Sequence, residues 1–193
     1  GAGKGMDNVV CFTLGTGVGG GLIVSGKLVH GSAGMAGELG HMSVVPDLEA
    51  IRCKCGQMVC METVSSATGT IRMAKDAVER GDKTELALLN EITAKDVFEA
   101  AKLGDETALR IVNRAAYYLG KSMALLAVIV NPKRFIIGGG VSKAGDILFE
   151  PIRDIFAKQT PTNAQIGVDI VPAELGNDAG VVGAAGLNLR EIV

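Results

Sequence analysis

The sequence predicts an α/β layer fold for its 193 residues. Short aliphatic runs separated by glycine turns near the N-terminus predict antiparallel strands. After them, helical and strand periodicities alternate as helix, strand, helix, strand, helix, without an internal repeat or a low-complexity linker. Helices that alternate with strands pack as layers on a sheet. The length fits one domain or one large lobe of a two-lobed protein.

The first third of the chain is predicted to consist of strands and tight turns. The strands are expected at residues 9–14, 22–24 and 40–45. The glycine track at 15–21 joins the first two, Ser25–Gly26 predicts a second turn before residues 27–30, and Pro46 ends the third strand. Glycine and proline mark such turns because they adopt or enforce the backbone angles that strands avoid.

The remainder of the chain is predicted to be mainly helical. Helical periodicity starts at Glu62 with an interruption near 68–69, and Thr93 with Asp96 resembles a capping box. The strongest pattern, apolar residues three and four positions apart, predicts a helix over 105–130 that ends at 131–132. Beyond it the pattern predicts a strand at 134–137, a helix at 142–158, a strand at 166–171 and a C-terminal helix after residues 176–178.

Composition excludes several classes of function. The net charge is −2, with 19 basic and 21 acidic residues spread along the chain, so the basic footprint of a nucleic-acid-binding protein is missing. The longest apolar run, 123–130, falls far short of the ~20 residues that span a membrane. Closely spaced cysteines without a secretory signal favour the reducing cytoplasm. Because the first residue is Gly and not Met, we expect further residues upstream.

The glycine track has a functional and an ordinary interpretation. A strand–turn–strand context argues against a dinucleotide fingerprint, which needs a helix directly behind the glycines. We interpret Thr16, Gly17 and Gly19 as contacts for ATP phosphates, because glycines let backbone N–H groups approach an anion closely. The alternative is a glycine hairpin without a ligand. Gly139 and Gly140, at a predicted strand end before a helix, form a second candidate for nucleotide contact or a simple tight turn.

A possible metal site follows the glycine track. His41, Cys53, Cys55 and Cys60 provide one imidazole and three thiols, the ligand inventory of a closed, structural zinc site. The alternative is a set of buried thiols with a core histidine, since a Cys53–Cys55 disulfide would close a strained ring. Cys11, in an apolar strand, is expected to be a core residue.

Two acidic residues bracket these ligands. Glu38 precedes His41 by three positions and Glu62 follows Cys60 by two, so a rigid metal loop would hold both carboxylates in one place. Carboxylates accept hydrogen bonds from neighbouring hydroxyls, as recognition of a sugar requires. His41 can serve the metal with one ring nitrogen and a sugar hydroxyl with the other. The alternative is that both acids are ordinary solvated surface residues.

These motifs together resemble a known family. The glycines and the Gly37-(x2)-Gly40-His41 turn resemble the signature of the ROK family of repressors and sugar kinases, and C-x-C-G-(x3)-C-x-E resembles its zinc motif. The similarity extends to Asn131–Pro132, to 138–141 and to 176–180. One departure is Val59, where the family usually has Gly before the third zinc cysteine.

The resemblance implies an actin-like, ribonuclease-H-like lobe, with residues 1–193 as the C-terminal lobe of an ATP-dependent glucokinase that acts on the 6-hydroxyl of glucose. It implies ATP with Mg²⁺, structural Zn²⁺, a homodimer, sugar contacts from Glu38, His41 and Glu62, and adenosine contacts near Gly139 and Gly140. The catalytic Asp is expected upstream of Gly1. The alternatives are the sugar-sensing domain of a ROK repressor, and a ROK kinase for fructose, mannose or an N-acetyl amino sugar.

Overall fold

A computed structural model describes residues 1–188. Within this span one mixed sheet has the strand order β3-β2-β1-β4-β5. Its strands are β1 (Val9–Leu14), β2 (Val18–Val24), β3 (Lys27–Leu28), β4 (Arg134–Gly138) and β5 (Asp169–Pro172). β1 and β3 both pair antiparallel to β2, whereas β4 is parallel to β1 and β5 is parallel to β4. The predicted antiparallel strands, followed by alternating helices and strands, are therefore confirmed.

Helices connect and cover the parallel part of the sheet. They are α1 (Glu62–Ser65), α2 (Ala67–Glu79), α3 (Ala94–Lys102), α4 (Glu106–Val130), α5 (Asp146–Gln159), α6 (Thr162–Gln165) and α7 (Ala179–Asn188). Short 3-10 turns occur at Leu39–His41, Asp47–Glu49, Glu85–Leu88, Gly140–Ala144 and Gly176–Asp178. None of the helices in the described part of the chain has the length and apolarity needed to cross a bilayer.

Local capping sets the helix ends that the sequence predicted. The Thr93 side chain accepts from the Asp96 N–H, and the Asp96 carboxylate accepts from the Thr93 N–H at 2.9 Å, which completes the capping box of α3. Asp105 caps α4 by accepting from the Ala108 N–H at 2.9 Å. Asn131 ends α4 in a left-handed conformation with φ of 42°, which Asn tolerates better than most residues.

The core lies mainly between one face of the sheet and the long helix α4. Alternate residues of β1 and β4, including Phe12, Phe135 and Ile137, are fully buried and belong to the same apolar cluster as Leu119 and Met123 of α4. The opposite face carries a smaller cluster, Ala2, Val9 and Ile136. Because side chains alternate across a strand, β1 and β4 each contribute to both clusters.

The predicted strand at 40–45 is wrong. Leu39–His41 forms a 3-10 turn, and only an isolated bridge between Ser43 and Cys60 represents sheet pairing among the described residues of this segment. The N–H groups of Val44 and Val45 both bond to the single carbonyl of Val59, at 3.1 and 3.2 Å. That arrangement bends the chain and cannot propagate a ladder, although the apolar pattern alone suggests a strand.

Four other boundaries differ from expectation. Gly19, Gly20 and Gly21 pair with β1 as part of β2, so the loop is shorter than the glycine track. The break after Glu62 falls at Ser66, the N-cap of α2, and the helix predicted at 142–158 is a 3-10 turn followed by α5 after Gly145. The strand predicted at 166–171 starts only at Asp169. Each shift reflects backbone bonding that side-chain periodicity does not encode.

Close packing over β2 leaves no room for a side chain at Gly20, whereas the neighbouring Gly21 has room for one. A Cβ at Gly20 would lie 2.5 Å from Leu39 Cγ and 2.6 Å from the Gly37 carbonyl oxygen, whereas a Cβ at Gly21 has no neighbouring heavy atom within 4 Å. We expect Gly20→Ala to lower the free energy of unfolding by about 1–3 kcal/mol through overpacking. Gly21→Ala should change it by less than about 1 kcal/mol. Denaturant unfolding checks this pair, and equal effects would contradict it.

Candidate functional site

The turn at 15–17 between β1 and β2 is anchored on the start of α2. The Gly15 N–H donates to the Gly17 carbonyl at 3.0 Å, and the Gly15 carbonyl accepts from the Ala67 N–H at 2.9 Å. Thr16 is exposed at the tip. The turn lies between two strands, as predicted, so the helix that a dinucleotide fingerprint needs behind its glycines is replaced by β2.

A cavity of 580 Å³ opens beside this turn. Gly15, Thr16 and Gly140 line it, so the structure brings the two glycine segments together although they are far apart in sequence. Further residues that no sequence pattern indicated also line the cavity. They come from α2, from α3 with its N-cap, and from the turn after β4: Ala67, Ile71, Thr93, Ala94, Lys95, Phe98, Glu99, Val141, Lys143 and Ala144. The capping box at Thr93 was visible in the sequence, but its position at a cavity was not.

Two of the predicted nucleotide residues lie close to other parts of the structure at the point where a side chain would begin. A Cβ at Gly19 would lie 2.6 Å from Thr13 Oγ1. At Gly139, where φ is +86°, it would lie 2.3 Å from the Leu14 carbonyl oxygen. The contact with the Leu14 backbone and the positive φ account for glycine at position 139, whereas at position 19 only the end of the Thr13 side chain would have to move; Thr16 and Gly140 line the cavity.

The four predicted metal ligands lie together. Their ligand atoms, one each from His41, Cys53, Cys55 and Cys60, are all within 4.8 Å of one another. Cys53 Sγ is 3.7 Å from His41 Nδ1, and Cys55 Sγ is 3.6 Å from Cys60 Sγ. Zinc–ligand bonds of about 2.3 Å to sulfur and 2.0 Å to nitrogen give tetrahedral edges of about 3.5–3.8 Å. The donor set and its spacing therefore fit a closed four-coordinate metal site.

Backbone contacts between distant segments assemble this cluster. The bridge between Ser43 and Cys60 holds the chain after His41 against the third cysteine. A tight turn, closed by the Gly56 N–H on the Cys53 carbonyl at 3.0 Å, places Cys53 and Cys55. The backbone at Val59 does not require glycine, because Val59 does not have a positive φ. Among the described residues other than Gly, only Ser25 and Asn131 do.

The thiols differ in acidity. Burial, followed by the contact with Glu62, raises the pKa of the Cys53 thiol to about 12, and burial also raises the pKa of Cys60. The exposed Cys55 thiol has a lowered pKa, chiefly because the Gln57 backbone bonds to its sulfur. A metal ion bound through thiolates must displace these protons, so its binding weakens as the pH falls.

The two predicted carboxylates flank His41 on opposite sides. Glu38 Oε2 is 3.9 Å from His41 Nε2, and Glu62 Oε1 is 3.9 Å from His41 Nδ1. Glu38 has 55% of its side chain exposed, whereas Glu62 has only 19%. Since Nδ1 faces Cys53, Nε2 remains on the side of Glu38, where it can meet a hydroxyl group.

A smaller cavity of 240 Å³ lies between Glu62 and the glycine turn, and neither Glu38 nor His41 lines it. Thr16, Gly17, Cys53 and Glu62 all line it. Arg72, which the sequence analysis did not single out, also lines it and donates to the Thr63 carbonyl at 2.9 Å. Thr16 therefore lies between two cavities, one beside Gly140 and one beside Glu62.

Comparison with known proteins agrees with this geometry. The model of the ROK family matches residues 1–191. The chain belongs to the ROK family. This ROK chain is 48% identical over 191 residues to the glucokinase of Halalkalibacterium halodurans, covering 97% of the chain and 58% of that relative. It thus spans less than two thirds of the length of this relative.

Solved structures show the same fold. A ROK family glucokinase from Streptomyces griseus, in complex with glucose and AMPPNP, superposes with a TM-score of 0.83 at 39% identity, over 97% of this ROK chain and 62% of that one. A ROK family transcriptional regulator, a homolog of the E. coli MLC protein, gives 0.80 at 29% identity, over 89% of this chain and 43% of the regulator. The sheet flanked by helices is thus the actin-like ATPase fold.

The ligand geometry predicts one zinc ion per chain. Structural zinc contributes on the order of 10 kcal/mol at neutral pH, so Cys55→Ser should abolish stoichiometric zinc and lower the unfolding temperature markedly. Cys11→Ala is the control: Cys11 lies in β1, outside the ligand set, and the variant should retain its zinc. Elemental analysis and thermal unfolding measure both effects. A metal-free wild-type protein, purified without chelator, would contradict the assignment.

Proposed function

We propose that this chain is the C-terminal, nucleotide- and sugar-binding lobe of a glucokinase that transfers the γ-phosphoryl group of ATP to the 6-hydroxyl of glucose. The position of Thr16 carries the proposal. Thr16 lines both the 580 Å³ cavity beside Gly140 and the 240 Å³ cavity beside Glu62. A phosphoryl donor in the first and a hydroxyl acceptor at the second would meet at one turn, as in-line transfer requires.

The larger cavity suits a nucleotide. Ile71, Phe98 and Val141 give it apolar walls for a base, and Thr16 with the adjacent turn amides supplies donors for phosphate oxygens. Lys95 and Lys143 add positive charge. Magnesium–ATP is the proposed donor, since the metal neutralises charge on the transferring phosphoryl group. We assign Thr16, Gly17 and Gly140 to this nucleotide, with Gly19 and Gly139 supporting the backbone beside them.

The sugar contacts are assigned to Glu38, His41 and Glu62. Charged carboxylates make stronger hydrogen bonds to hydroxyl groups than neutral acceptors do, and two of them beside one imidazole can bind several hydroxyls of a hexose. Glu38 and His41 Nε2 face one another at 3.9 Å, a separation that leaves both free to accept or donate to a ligand. The glucokinase relatives support glucose as the sugar.

Zinc is the proposed metal, held by His41, Cys53, Cys55 and Cys60. With four protein ligands the ion has no open position, so it would fix the loop and take no part in phosphoryl transfer. The loop in turn would hold Glu62 at the smaller cavity and His41 beside Glu62.

The proposal includes residues outside this chain. The hydroxyl proton must pass to a general base, and we assign that role to an Asp in a second lobe upstream of Gly1. The shares of 58% and 62% of the relatives' lengths leave room for such a lobe. On the family resemblance we also propose a homodimer, and the closely spaced cysteines favour the cytoplasm.

A panel of sugars tests the proposed activity. The complete polypeptide, with the upstream lobe, should form ADP fastest with glucose, measured as kcat/KM against fructose, mannose and N-acetylmannosamine. Preference for another sugar would refute the glucose assignment, but the proposed kinase activity would still stand. Sugar binding without any phosphorylation would instead favour a regulator, the function of the structural relative at 29% identity.

Substitution of Glu38 tests the sugar face. Glu38→Gln keeps the size but removes the charge that strengthens each hydroxyl hydrogen bond by roughly 1–3 kcal/mol. The KM for glucose should therefore rise about 5- to 150-fold. The zinc content and the KM for ATP should stay near the wild-type values. Glu91→Gln, at an exposed residue before α3, is the control and should change neither constant. A weakened ATP constant with normal glucose binding would place the sugar elsewhere.

A further inference from the structure

Glu62 contacts two parts of the site with its two carboxylate oxygens. Oε2 accepts from the backbone N–H of Val18 at 3.2 Å, across 44 positions of sequence. Oε1 lies 2.9 Å from Cys53 Sγ and 3.9 Å from His41 Nδ1. One side chain thus connects the first residue of β2, directly after the glycine turn, with two of the four candidate metal ligands.

The contact with the turn is tight. A Cβ at Gly17 would lie 2.6 Å from Glu62 Oε2, whereas a Cβ at Gly15 would meet no heavy atom within 4 Å. Val18 is buried, so its N–H depends on this carboxylate in place of water. A side chain at position 17 would therefore displace the Glu62 carboxylate from the Val18 N–H.

The base of Glu62 is also fixed. It is the first residue of α1, directly after Cys60 and Met61, which are both fully buried. Thr63 Oγ1 donates to the Cys60 carbonyl at 2.7 Å and ties the start of this helix to the third cysteine. The start of α1 is therefore restrained through Cys60, one of the candidate metal ligands, and the contact of Glu62 Oε2 with the Val18 N–H transmits that restraint to the turn.

We propose that Glu62 is a positioning residue that couples the metal cluster to the phosphate-facing turn, so that the metal orders the turn as well as the sugar face. This rests on the proposed function for its purpose, since the turn is the assigned triphosphate contact. The coupling predicts that loss of the metal, or of the carboxylate, loosens Val18 and weakens magnesium–ATP binding together with sugar binding.

Amide hydrogen exchange of the zinc-loaded chain, measured at Val18 by NMR, tests this coupling. Glu62→Ala removes the acceptor, and Gly17→Ala displaces it without touching a metal ligand. Both should make the Val18 amide exchange about 5- to 10-fold faster, the effect of losing one hydrogen bond. Gly15→Ala is the matched control in the same turn and should stay within about 2-fold of wild type, as should the amides of residues 22–24. Unchanged exchange in both Glu62→Ala and Gly17→Ala would overturn the proposal.

Removal of zinc tests the same coupling from the metal side. Chelation under conditions in which the amides of residues 22–24 stay protected should accelerate Val18 exchange of the wild-type chain by a similar factor, and it should add little in Glu62→Ala, where the link is already broken. Equal acceleration in both proteins would show that the metal acts on the turn by another route, and would overturn the coupling. Exchange needs no catalysis: an active kinase with unchanged Val18 exchange refutes only the coupling, and an inactive protein with the expected exchange refutes only the proposed function.

Discussion

Backbone contact between β2 and the turn that carries His41 is the constraint on which the rest of the site depends. A Cβ at Gly40 would lie 2.2 Å from the Val18 carbonyl oxygen, and a Cβ at Gly20 would lie 2.6 Å from that of Gly37. Only glycines allow two main chains to approach this closely. The approach sets His41 beside the end of the β1–β2 hairpin, where the glycine turn also lies.

The segment from 42 to 61 lacks the support that regular elements would give it. It contains a 3-10 turn at Asp47–Glu49 and one isolated bridge, Ser43 to Cys60, among the described residues. Buried Val44 and Val45 anchor one end, while Leu48 is fully exposed. A metal ion held from both ends would contribute the binding energy that a small core cannot. Packing thus orders one end of this loop, and a bound metal ion would order the rest.

The two carboxylates of the site are not equivalent, which the sequence could not show. Both were identified by their spacing from metal ligands. The structure leaves Glu38 more than half exposed, whereas Glu62 is mostly buried and has one oxygen on the Val18 N–H. Spacing along the chain fixes which elements carry the acids but not what lies opposite them. That is decided by how the β1–β2 hairpin docks on α1, through contacts between residues far apart in sequence.

The elements and ligands that depend on near neighbours along the chain could be predicted from the residue pattern. The long helix at 105–130 follows from periodicity, the capping box at 93–96 from two side chains three positions apart, and the ligand set from residue chemistry. Tertiary structure alone decided that 40–45 is not a strand, that Thr16 lies between two cavities, and that Glu62 reaches the hairpin. Local patterns report interactions within a few residues, whereas these features arise from backbone groups of distant segments that satisfy one another only after packing.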